Sequence, residues 1–268
     1  MVTTSAADRW ANALGEWALP AEILAQAAGS PWAHPVKQFA DRADDAASHP
    51  GGWSYERAAS ALPPGGSVLD VGVGAGAASL PLARRAALVT GVDADPRMLE
   101  AFTERIAVTP AAGAVVEGTW PDVADQVAPH DVVVAHHVAY NVADLMPFLE
   151  ALTNKARHGV VVELPPRHPL SWMSPLWRQF WNLARPDAPT ADDFVAVVED
   201  LGVSGLVVYR WTRDDPDLTP LAERAALVAQ RLCLPDERVG EVRDAIADQP
   251  PNRHRDVVTV AWDGSGAS

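Results

Sequence analysis

The chain has 268 residues, 48% of them hydrophobic, which is enough for one large α/β domain with a sizeable core. Its formal charge of -14, from 35 acids against 21 basic residues, opposes a nucleic-acid partner, because phosphates must be met by clustered Lys and Arg. Cys233 is the single cysteine, so neither an internal disulfide nor a thiolate metal site is available, and no apolar run approaches the roughly 20 residues that a membrane span needs.

The first residues lack a basic-then-apolar leader pattern, and a cytoplasmic location is the expectation. Residues 1–64 read as a helical cover broken by turn residues. Two short helices are predicted within 6–28, separated at Pro20, then one over 35–47 and one over 55–62, stopped by Pro63, Pro64, Gly65 and Gly66. From 65 the pattern changes to strands alternating with helices, the mark of a parallel sheet with crossover helices. Strands are predicted at 67–71, 87–92, 114–117, 131–135 and 159–164. Helices are predicted after the first strand through Arg85, over 96–108 and over 142–156. The runs VVVA and VVVE are apolar on both faces, as strands covered by helices on each side require.

Beyond 165 come a tryptophan-rich segment, a helix starting near Thr190 with Thr190 as its N-cap, and two strands at 206–212 and 256–262. A helical insert over 216–248 separates those strands, and an insert of that size reads as a lid. The expected architecture is α/β: a Rossmann-like, seven-stranded, mostly parallel sheet with helices on both faces. Residues 65–164 form its core and 165–268 add the acceptor-side helices, the insert and the last two strands, all in one structural domain.

Chemistry concentrates in VLDVGVGAGAASLPLA, residues 68–83. A strand ends at Gly72, and Gly72, Gly74 and Gly76 fall at alternate positions, so the backbone can turn sharply and approach a nucleotide closely. Asp70 lies inside the strand two residues earlier, and Asp93 ends the second strand in GVDADPRMLEAF. A glycine loop of this kind also fits the dinucleotide fingerprint, so a nicotinamide-dependent oxidoreductase is an alternative.

VLDVGVGAG and GVDADPRML resemble the first two motifs of the class I S-adenosylmethionine (SAM)-dependent methyltransferase superfamily, and the resemblance runs over about 67–164. It implies SAM as cofactor and S-adenosylhomocysteine as product, held over Gly72, Gly74 and Gly76. It also implies that Asp70 lies near the methionyl amino group and that Asp93, with Ala94 beside it, accepts hydrogen bonds from both ribose hydroxyls. The family pattern has an acid after the third strand near the adenine amino group. Thr119 stands there instead, a departure, and the neighbouring Trp120 either stacks on the adenine or is a core tryptophan.

Past the fourth strand comes AHHVAYNVADL, a segment that faces the methyl group and the acceptor in this superfamily. His136 or His137 is the candidate general base, because a neutral imidazole takes a proton near working pH. Side chains of neighbouring residues diverge, so at most one is expected to reach the acceptor; the other packs behind or shapes the cofactor pocket. Tyr140 and Asn141 are candidate acceptor contacts, with Asn141 alternatively a helix cap. His136, His137 and Asp131 match no standard ligand spacing, so no metal is expected. In ELPPRHPLSWMSPLWRQFW, Trp172, Trp177 and Trp181 suggest a partly apolar acceptor pocket with Arg167 and His168 as polar anchors; ordinary packing is the plainer reading of each tryptophan alone. The expected reaction is methyl transfer to a small molecule, leaning to oxygen because no Asn-Pro-Pro-Tyr type sequence follows the fourth strand. A non-catalytic SAM-binding subunit is the remaining alternative, and neither nucleic acid nor membrane is an expected partner.

Overall fold

The computed structural model describes residues 4–27, 29–32, 35–215, 219–248 and 254–266. Seven strands, β1 (Gly66–Val71), β2 (Ala86–Asp93), β3 (Ala112–Glu117), β4 (His130–His136), β5 (Ala156–Leu164), β6 (Val207–Asp214) and β7 (His254–Asp263), form one sheet in the order β3-β2-β1-β4-β5-β7-β6. Neighbours among β1 to β5 pair in parallel, and β7 runs antiparallel between β5 and β6. All seven strands read from the sequence are present. Strand order reverses between β1 and β4, and a sheet of this type opens its ligand crevice at the carboxyl ends of the strands on either side of that switch.

The helices are α1 (Ala6–Gly15), α2 (Ala21–Leu24), α3 (Val36–Ser48), α4 (Trp53–Ala61), α5 (Pro96–Ile106), α6 (Leu145–Lys155), α7 (Ser174–Trp181), α8 (Ala191–Leu201), α9 (Leu221–Arg231) and α10 (Val239–Ile246). Along β4 the side chains alternate. Val133 and Ala135 meet α1, α6 and α8 through Trp10, Phe148 and Phe194, while Val132 and Val134 join the core under α3, α4 and α5 that holds Phe102. Both faces are apolar, which is why the central strands read as unbroken valine runs. α8 begins as its sequence suggests: the Thr190 side chain accepts from the Asp193 N–H while the Asp193 carboxylate accepts from the Thr190 N–H.

A third apolar cluster forms a cap from segments far apart in the chain. Ile23 of α2, Trp177 of α7, Val228 of α9 and Val242 of α10 pack together there. α7 follows β5 and α9 follows β6, so both insertions leave the sheet from the strand ends that also carry the glycine loop. The N-terminal residues are therefore not one cover. α1 lies on one face of the sheet, α3 and α4 on the other, and α2 belongs to the cap. Arg185 ties the cap down, donating to the Trp17 carbonyl and lying 4.9 Å from the Trp17 ring and 5.5 Å from that of Trp177. The predicted insert starts at Pro216, and 216–218 lie outside the described residues.

One expected helix is missing. Between the glycine loop and Arg85 the chain makes turns and a short 3-10 segment, Leu80–Leu82. Pro81 explains this, since it lacks an N–H and its ring disfavours helical geometry in the residue before it.

Trp10 anchors the α1 face. It is fully buried, donates its indole N–H to the Val142 carbonyl at 2.8 Å, and lies 5.3 Å from the Tyr140 ring and 6.0 Å from that of Phe194. Trp10→Ala is expected to cost about 3–5 kcal/mol. The measurement is urea unfolding, with a lower midpoint at an unchanged slope.

Candidate active site

β1 ends at Val71, and the chain then turns through Gly72 at φ 71° and Gly74 at φ 52°, left-handed values that strain any side chain. A Cβ on Gly72 would stand 2.4 Å from Val138 Cγ2, and one on Gly74 would stand 3.2 Å from Phe39 Cδ1, so the loop is packed by the segment after β4 on one side and by α3 on the other. Gly76 is buried against Leu80 and Phe102. At the end of β2, the Asp93 carboxylate accepts from the Gly74 N–H and from the Asp95 N–H, each at 2.9 Å. It ties together the two loops that border the crevice, and each oxygen keeps further acceptor capacity. Ala94 is exposed beside it.

Asp70 does not front the crevice. It is 1% exposed and accepts a 2.6 Å hydrogen bond from Ser79 Oγ. Burial pushes its carboxyl up to about 7; the Ser79 hydroxyl opposes the rise and the nearby Asp93 charge adds to it. The fold thus favours the protonated form, so this group's stabilising contribution is whole below its unfolded value near 4 and is lost as pH rises to about 7. Asp70→Asn removes that dependence. The variant's unfolding free energy relative to the parent is expected to grow between pH 4 and pH 8 by up to about 4 kcal/mol. Denaturant unfolding at a series of pH values measures it, and a flat difference contradicts the assignment.

A second polar cluster lies at the ends of β4, β5 and β6. The ladder from β4 to β5 runs on past His136, whose register partner is Glu163, because the His137 N–H donates to the Glu163 carbonyl at 2.7 Å. His137 has φ 60°, a left-handed turn. Of the two imidazoles, His137 contacts the Glu163 carboxylate, while His136 acts on it through charge alone.

Glu163 is 2% exposed, and its Oε1 lies 3.1 Å from His137 Nε2 and 3.2 Å from Arg213 Nη1. Burial works against its charge, yet His136, His137 and the Arg213 guanidinium together hold its carboxyl well below the usual carboxylate range. Burial brings His136 down to about 4, so its ring is neutral at pH 7. His136 Nε2 is buried with no hydrogen-bond partner among the described residues. Sequence reasoning found the two histidines and missed Glu163 and Arg213. The available signal was one acid closing the apolar run VVVEL, in the manner of Asp93 at the end of β2.

The remaining predicted residues fall into two groups. Trp120 is a core residue, buried under its loop with its indole N–H directed at the Phe148 carbonyl at 3.4 Å, while Thr119 is exposed. Tyr140 is also buried, donating to the Pro165 carbonyl at 3.1 Å, with the His168 ring edge-on at 5.5 Å. His168 in turn stacks on Trp17 at 3.8 Å, and burial, with Arg185 nearby, lowers it to about 4. Trp177 and Trp181 hold the cap together, the Trp181 indole donating to the Leu232 carbonyl at 2.7 Å. Asn141 and Trp172 are exposed, and Asn141 caps nothing, since α6 takes Asp144 as its N-cap residue. Arg167 is exposed, 3.8 Å from Asp187. Among the described residues, no group of three or more His, Cys, Asp or Glu is arranged to hold a metal ion, and no helix is long and apolar enough to cross a membrane. A cavity of about 380 Å³ lined by Gly29, Glu223 and Gln230 lies on the cap and shares no residue with either cluster.

Residues 68–159 match a family model described as a methyltransferase domain. No curated protein matches the chain. The fold is similar to that of the cyclopropane-fatty-acyl-phospholipid synthase-like protein from Lactobacillus casei ATCC 334, at 17% identity over 90% of this chain and 98% of that one, with a TM-score of 0.55. It is also similar to the YcgJ protein from Bacillus subtilis, at 14% identity over 79% and 97% of the two chains and a TM-score of 0.52. The BH2331 protein from Bacillus halodurans C-125, assigned as a methyltransferase, is similar at 13% identity over 78% and 96%, with a TM-score of 0.51.

Proposed function

We propose that this chain is a class I SAM-dependent methyltransferase, a reading supported by the methyltransferase-domain match over residues 68–159, and that its acceptor is a small molecule methylated at oxygen. One observation carries the reading: at the carboxyl ends of the central strands a half-exposed imidazole, His137, is held through Nε2 by a buried carboxylate. A hydroxyl must lose a proton as it is methylated, and a positioned imidazole takes it.

The glycine loop fits SAM on its own chemistry. Gly72 and Gly74 give the loop the left-handed turns that carry it past the end of β1, and Asp93 keeps acceptor capacity suited to vicinal ribose hydroxyls. When bound, SAM supplies an electrophilic methyl on a cationic sulfur. This chain's residues bind it, orient the acceptor, exclude water through the cap and hold the released proton at His137. The net charge of -14 supports a small acceptor over nucleic acid. The single, buried cysteine is consistent with the cytoplasmic location included in this reading. The nicotinamide alternative has no comparable support.

The test is methyl transfer from isotopically labelled SAM to a panel of phenolic, aliphatic-hydroxyl and amino small molecules, with the products identified by mass. Methyl ethers are expected. Transfer to amines alone would overturn the oxygen assignment, transfer to RNA or DNA the small-molecule assignment, and SAM binding without any transfer would favour a non-catalytic subunit.

A further inference from the structure

We infer that Glu163 is a positioning residue that fixes His137 in the tautomer with a bare Nδ1, and that Arg213 sets the polarity of this pair. The inference rests on the oxygen-methylation reading for its purpose, but its evidence is separate.

An ionised carboxylate only accepts hydrogen bonds. Glu163 Oε1 is 3.1 Å from His137 Nε2, an ion-pair contact, and the carboxylate charge favours the neutral tautomer whose proton sits on the nearer nitrogen, Nε2, leaving Nδ1 with a lone pair. Nδ1 meets no hydrogen-bond partner among the described residues. The His137 side chain is 35% exposed, which makes Nδ1 the nitrogen that an acceptor hydroxyl can reach. Two contacts to the same residue hold the ring: the His137 N–H to the Glu163 carbonyl at 2.7 Å, and Nε2 to the carboxylate.

Arg213 reaches Glu163 Oε1 from β6 at 3.2 Å. Its role follows from charge. The guanidinium adds to the groups that keep this buried carboxyl ionised; a protonated carboxyl would instead be a donor to Nε2. The imidazole then holds its own proton on Nδ1 and is no base. With Arg213 in place, the O–H bond of the acceptor breaks, its electron pair stays on oxygen, and the proton forms a bond to Nδ1. The resulting imidazolium rests against the Glu163 charge.

The tautomer can be read without an acceptor. The full chain, labelled with ¹⁵N-histidine, is examined by long-range ¹H–¹⁵N correlation at pH 8, with the His137 signals assigned from His137→Gln. Wild type is expected to show a protonated Nε2 and an unprotonated Nδ1. Glu163→Gln and Arg213→Gln are expected to shift the tautomer ratio toward Nδ1–H by about tenfold or more, and Glu163→Asp, which keeps the charge, to preserve the wild-type pattern. Calorimetric SAM affinity within a few-fold of wild type controls for folding in each variant.

A protonated Nδ1 in the wild type, or a ratio unmoved in both Gln variants, overturns the inference. With a hydroxyl acceptor from the panel, Glu163→Gln is expected to lower the transfer rate by about 10²–10⁴ at unchanged SAM affinity. Should the tautomers respond as described while His137→Ala keeps the full transfer rate, the base reading fails and the positioning role of Glu163 stands.

Discussion

Asp93→Ala is expected to lower SAM affinity by about 100-fold or more while the sheet stays folded. The Asp93 carboxylate has two tasks that one substitution removes together. It accepts the Gly74 and Asp95 N–H groups, which fixes the glycine loop against the turn that leads into α5. Its remaining acceptor positions are the ones proposed for the ribose hydroxyls. Hydrogen bonds to a charged acceptor contribute about 1.5–3 kcal/mol each, so losing two ribose contacts alone accounts for a hundredfold. The orphaned backbone donors add a separate stability loss of about 1–3 kcal/mol. Asp93→Asn separates the tasks, because an amide oxygen accepts one N–H while the NH₂ group opposes the other; its affinity is expected to fall between those of the parent and the alanine variant. Calorimetry with SAM and with S-adenosylhomocysteine measures the first quantity and urea unfolding the second. Full affinity in Asp93→Ala removes the ribose role, even if stability drops.

The sequence makes the sheet plain because both of its signals are local. Valine runs mark strands buried on two faces, and Pro96 after Asp95 or Thr190 before Asp193 mark helix starts within a few residues of chain. The missing helix after β1 was also legible, since Pro81 stands in the middle of that stretch; the alanine-rich composition around it pointed the other way. The site is harder for a physical reason. Glu163 and Arg213 come from β5 and β6 and His137 from the turn that ends β4, and Arg213 lies fifty positions beyond the carboxylate it meets. No spacing rule joins such residues; only the sheet order with β7 between β5 and β6 does. Nor does the sequence foretell φ 60° at His137, whose ring meets the Glu163 carboxylate at 3.1 Å. Tryptophans mislead in the opposite sense. Trp120 and Trp177 look like ligand platforms by type and place, yet both are spent on packing, as most large aromatics in a domain of this size are.

The two histidines make the last distinction, and alanine variants separate them. His137→Ala is expected to slow methyl transfer by about 10²–10⁴, the usual contribution of a positioned base, with SAM affinity within a few-fold of the parent. It also leaves Glu163 with Arg213 as its cation, so the buried charge stays paired and the fold is kept. His136→Ala acts on packing instead. The His136 ring is neutral at pH 7 and its Nε2 is buried without a partner among the described residues, so no proton path runs through that atom to an acceptor. Its removal is expected to cost about 1–3 kcal/mol of stability as a cavity term, with a transfer rate reduced far less than in His137→Ala once the assay temperature is kept below the unfolding transition. Single-turnover rates with saturating SAM give the comparison directly, since they exclude product release. The reverse order, with His136→Ala the slower enzyme, would move the base from His137 to the ring whose Nε2 is buried and overturn the assignment.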